Sequence, residues 1–154
     1  MKKLLLVLLS SLSVSFVMAQ ELSFSSGRDK HDHKPQLFAA LSPKIAVSAQ
    51  FIDDVMQARV NQAFRIVLAD GFVFNGNVTA RTSDAPGLES VMLHSSEVPE
   101  LVFSVSRLTL PDQSVVYRGI ITSKRHSDML LMEKDAITGN YYWNRKNVSR
   151  MISD

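Results

Sequence analysis

The sequence predicts a mainly β domain: an antiparallel meander curled into a sandwich or half-barrel, with one helix before the sheet. Two observations carry that prediction. From Ala63 onward the apolar residues recur with a period of two, in seven short runs, the spacing of half-buried strands. Clusters of Gly, Pro, Asp, Asn and Ser separate the runs, as the turns of an antiparallel meander do. Composition sets the frame. With 154 residues, 45% hydrophobic and 21% charged, the chain can bury one core. It has no cysteine, so that core must hold without disulfides.

Residues 1–19 read as an export signal. Lys2 and Lys3 precede an apolar run opened by Leu4 to Leu9, and Val17-Met18-Ala19 supplies residues suited to cleavage before Gln20. The run is broken by serines and is shorter than the roughly 20 apolar residues of a membrane span. The processed protein is therefore expected in the periplasm or outside the cell, with no membrane attachment. Lys2 and Lys3 also account for the whole formal excess of +2. A processed chain that is neutral has no electrostatic reason to seek nucleic acid.

Residues 20–36 read as a mobile polar leader, rich in Ser and charged side chains and punctuated near its end by Lys34-Pro35. The remainder, 37–154, reads as a single β-rich domain. Its helix is expected near 51–60, where Phe51, Ile52, Val55, Met56 and Val60 fall mostly at three- and four-residue spacings. Ser42-Pro43 offers a helix start, with Ser as cap and Pro in the first turn. Ile45, Val47 and Ala49 alternate instead, so 44–50 reads equally as a strand.

The strands come next. Phe64, Ile66 and Leu68 alternate up to Ala69-Asp70-Gly71, and Phe72, Phe74, Gly76 and Val78 resume the pattern beyond it. Asp-Gly between alternating runs predicts a hairpin. A loop at 83–87 leads to a strand near Ser90–His94. Leu101, Phe103 and Val105 define one face of the next strand, and a slip of phase at Arg107-Leu108 predicts a bulge. Pro111 to Ser114 turns the chain into a strand at Val115–Thr122, and two more are expected at Asp128–Glu133 and Tyr141–Arg145.

Catalytic signatures are sparse. No two of the four histidines stand four apart, so the His-Glu-x-x-His zinc helix is absent, as is a Gly-x-Ser-x-Gly elbow. A non-enzymatic role without a cofactor is the expectation. Two groups remain as candidate contacts. His31, Asp32 and His33 carry metal-ligating side chains, and two imidazoles one residue apart project to one side of an extended segment. In Tyr141-Tyr142-Trp143, strand alternation sends Tyr141 and Trp143 one way and Tyr142 the other. Tyr142 and Trp143 are the candidate partner contacts, as large aromatic surface that costs little entropy to immobilise.

The succession Leu68-Ala69-Asp70-Gly71, Phe74-Asn75-Gly76-Asn77-Val78, Ser90-Val91-Met92-Leu93, Tyr117-Arg118-Gly119-Ile120-Ile121, Met129-Leu130-Leu131-Met132-Glu133 and Tyr141-Tyr142-Trp143 resembles a known pattern. It is similar to the amino-terminal propeptides of secreted bacterial zinc endopeptidases of the astacin and reprolysin-like kind, over about residues 60–146. The resemblance implies a protein that covers a protease cleft, as an inhibitor or folding assistant, with any zinc contact falling to His31, Asp32 or His33, or to a carboxylate such as Asp154. No peptidase zinc motif lies in the sequence, so it implies a stand-alone propeptide-like protein or a fragment of a longer product. The alternative expectation is a periplasmic barrel-like module that holds an apolar small molecule or carbohydrate inside a curled sheet.

Overall fold

A computed structural model describes residues 34–68 and 71–148. Residues 1–33, where the export signal and most of the leader are expected, and residues 69–70 and 149–154 lie outside the described residues. The strands are β1 (Lys44–Val47), β2 (Ala63–Val67), β3 (Val73–Ala85), β4 (Leu88–Ser95), β5 (Leu101–Thr109), β6 (Val115–Ser123), β7 (Asp128–Lys134) and β8 (Tyr141–Asn147), and α1 (Ala49–Gln57) comes directly after β1. All eight strands join one antiparallel sheet in the order β1-β8-β7-β6-β5-β4-β3-β2, curled into a half-barrel. From β2 to β8 the chain is a plain meander; β1 alone pairs across a long sequence gap.

That eighth strand resolves the ambiguity at 44–50. Ile45 and Val47 stand opposite Trp143 and Tyr141, so their alternation serves pairing with β8, and Ser42-Pro43 precedes a strand. The helix starts later, capped by Ser48, whose Oγ accepts the Phe51 N–H at 3.1 Å. It ends at Gln57, short of the expected 60, because Ala58 is extended and Asn61 has a φ of 69°. Val60 thereby falls outside the apolar stripe and stands 48% exposed. Ile52, Val55 and Met56 turn inward from α1.

The core lies in the concavity of the sheet. Phe103 is its hub, with ring centroids of Phe51, Phe74 and Trp143 at 6.1, 5.8 and 5.7 Å. Burying such side chains stabilises the fold by roughly 1.5–3 kcal/mol each. The alternation read from the sequence holds: Ile66, Phe74, Val78, Val91, Leu93, Phe103, Val105, Ile121 and Leu130 are buried. Gly119 sits among them because a side chain would collide; a Cβ there would lie 2.7 Å from Trp143 Cη2 and 3.1 Å from Met132 Cβ.

Two irregularities differ from the sequence expectation. The pairing of β5 runs without a register shift on both sides, so there is no bulge at Arg107-Leu108. The shifts fall instead in β3, between Val78 and Ala80 and between Thr82 and Ala85. The expected loop at 83–87 shrinks to a two-residue turn, because β3 extends to Ala85, paired with Leu88. Pro86 then fixes one corner, and Gly87, at φ 75°, takes the left-handed corner.

A strap closes one end of the core. Phe38 is fully buried against Phe72, with ring centroids 5.2 Å apart. Asp128, 1% exposed, accepts the N–H groups of Leu37 and Phe38 at 2.7 and 2.9 Å. Arg145 donates to the carbonyls of Phe38 and Ala39. Pro35 is tied as well, its carbonyl accepting the Ser127 N–H.

Candidate functional site

The sheet is open, so it has two edges, and their backbone chemistry differs. On β2, the bonds Leu68 N to Phe72 O and Val78 N to Gln62 O fix which residues serve the ladder. With the register Phe64↔Gly76 and Ile66↔Phe74, the even-numbered residues bond to β3. Ala63, Arg65 and Val67 therefore direct N–H and C=O away from the sheet, and no described strand pairs with them. Their side chains are exposed, Val67 by 61%.

On β1, Arg145 N donates to Pro43 O, so by the same alternation only Lys44 and Ala46 face outward before Ser48 becomes the helix cap. Lys44 is already engaged. Its ammonium lies 3.1 Å from the Asp135 carboxylate and 4.0 Å from the centre of the Tyr142 ring. The Asp135 carboxyl is held down to about 2 by the Thr138 N–H first, then by Lys44 and the Ile137 N–H. The β1 edge offers two outward residues and is locked by Lys44; the β2 edge offers three, and no described residue pairs with them.

A polar cluster that the sequence reading missed sits at one end of the concave face. Arg81, Glu89, Arg107 and Tyr117 continue the inward-facing positions of their strands, since Arg81 stands opposite Val91, and Arg107 lies between Glu89 and Tyr117. Arg107 Nη2 contacts Glu89 Oε1 at 2.6 Å and Arg81 Nη2 contacts Glu89 Oε2 at 3.6 Å. Arg81 Nη1 also donates to the carbonyls of Met56 and Ala58, satisfying the exposed end of α1. The pairing of β6 with β7 stops at Gly119↔Met132, and beyond that point the Tyr141 hydroxyl accepts the Tyr117 N–H at 3.0 Å. This cluster holds the helix over the sheet. Its sequence signal was the phase slip at Arg107, where a charged side chain takes a core-facing position.

The aromatic candidates separate. Trp143 is 1% exposed and belongs to the core, so its ring offers no surface to a partner. Tyr142 faces the convex side, half-buried, beneath the Lys44 ammonium. His31, Asp32 and His33 lie outside the described residues, and among the described residues no three His, Asp or Glu side chains gather as a metal site. Ser104, Ser106, Arg118, Ile120, Leu131 and Glu133 line a shallow convex depression of about 240 Å³. Among the described residues no helix is long and apolar enough to cross a membrane.

No protein-family model, no curated protein and no solved structure matches the chain.

Proposed function

We propose that this chain is an exported, non-catalytic binding protein that takes an extended segment of a partner polypeptide onto the free edge of β2. The observation that carries the reading is the set of three consecutive outward positions, Ala63, Arg65 and Val67, on an edge strand with exposed side chains and no proline. Such an edge binds by main-chain hydrogen bonds and needs few specific side chains. On the opposite side Lys44 is held against Asp135, whereas on β2 the blunting device among the described residues is the single charge of Arg65.

The partner we propose is a secreted zinc metalloprotease, engaged in the manner of a propeptide that inhibits it or assists its folding. The likeness of residues 60–146 to such propeptides supports this choice, and the β2 edge falls inside that stretch. The alternative, a small ligand held within the sheet, is disfavoured because α1 and the rings around Phe103 occupy the interior such a ligand would need.

Capture from the culture supernatant of the producing cells tests the reading, comparing the processed protein with Arg65→Pro. Proline at 65 removes an outward donor and no ladder bond, so the fold should survive. Capture of a zinc metalloprotease by the wild type and its loss with Arg65→Pro are expected. Equal capture by both proteins, or a wild-type catch without any metalloprotease, contradicts the proposal.

A further inference from the structure

The free edge has a charge at its midpoint. Arg65 is the central outward residue of β2, between Ala63 and Val67, and its side chain is exposed. No ion pair or side-chain hydrogen bond engages it among the described residues. Across the ladder stands neutral Asn75, whose amide is committed to Glu97 at 2.7 Å. Other arginines contrast with it: Arg81 and Arg107 share Glu89, and Arg125 meets Glu100.

An incoming strand would place one residue directly opposite Arg65, with its Cβ about 4.5–5.5 Å away. A carboxylate there gains a cross-strand ion pair; a second cation is repelled. The neighbouring outward positions are small and apolar, Ala63 and Val67, and favour apolar partners. The same arithmetic acts on self-association. Two copies pairing antiparallel through β2, in the register that overlaps the whole strand, set Arg65 against Arg65. An edge charge of this kind is a recognised device against edge-to-edge assembly.

From this we infer that Arg65 selects the partner strand: it admits an extended segment with an acidic residue at its centre, flanked two residues away on each side by apolar side chains, and it rejects a second copy of this chain. The inference rests on the β2-edge reading and specifies which segment that edge takes.

The test uses three blocked peptides of alternating Val and Thr that differ only at the centre, which is Glu, Gln or Lys. Binding is read from the amide resonances of Ala63, Arg65 and Val67. The Glu peptide should bind about tenfold more tightly than the Lys peptide, with the Gln peptide between them. In Arg65→Glu that order should reverse, and in Arg65→Gln it should collapse. Equal binding of all three peptides at these amides overturns the inference while leaving the edge reading intact. Binding of none of them at these amides overturns both. A wild-type dimer in which the Arg65 amide is protected also overturns the inference.

Discussion

The two edges of this sheet are built from similar material and end up as opposites. On the β1 side, Ile45 stands opposite Trp143, Lys44 reaches Asp135 and Tyr142, and Arg145 donates to the strap carbonyls, so the terminal strand is anchored on its face and at its ends. On the β2 side, Ile66 alone is fully buried, and the outward side chains stand in solvent. The difference comes from the element that succeeds each strand. After Val47 the chain enters α1 at once, which shortens the edge; after Val67 it turns back into the longest strand of the sheet and leaves the edge bare. An open sheet that secures one margin and exposes the other has a defined direction for growth by a further strand.

Disturbing the anchored side should have the largest effect. Gly119→Ala introduces a Cβ 2.7 Å from the Trp143 ring, and Trp143 stands opposite Ile45. A loss of about 1–3 kcal/mol in unfolding free energy is expected, with a shift in the emission of the single tryptophan, while the outward amides of β2 exchange with solvent as before. Chemical denaturation followed by fluorescence gives both quantities.

Acid should loosen the same margin more gently. The carboxyl of Asp135 has a lowered pKa of about 2 against an ordinary 3.8. A depressed carboxylate contributes stability that is full above its unfolded pKa and is lost as pH falls through the folded one. Between about pH 4 and 2, therefore, the turn joining β7 to β8 and the Lys44 contact should weaken, a trend that Asp135→Asn removes. Amide chemical shifts of Ile137 and Thr138 report it directly. Among the described residues of the β2 edge no carboxyl is held down in this way, and no matching change is expected there.

Much of this architecture could be read along the chain, and the contrast between the edges shows where reading stops. Alternation located seven strands because each faces one core, and the pattern is local. The eighth, β1, was ambiguous since four residues of Ile-Ala-Val type fit either a strand or a first helical turn; its partner Trp143 stands 98 positions away. The slip at Arg107 looked like a bulge because a charge broke the apolar phase, whereas the strand stays in register and the face itself becomes polar. Alternation placed Tyr142 and Trp143 on opposite faces, but which face is the core depends on strands far removed in sequence. That Arg65 points to an open margin depends on strand order, and no short-range pattern encodes strand order.

Amide hydrogen exchange across β2 in the isolated protein is the sharpest test of the bare margin. An unoccupied edge gives an odd–even pattern: Phe64, Ile66 and Leu68 protected by their bonds to β3, and Ala63, Arg65 and Val67 exchanging freely until a partner strand is added. Protection of all six amides in the isolated protein would mean that this edge is already occupied, and the assignment of β2 as a docking strand would fall.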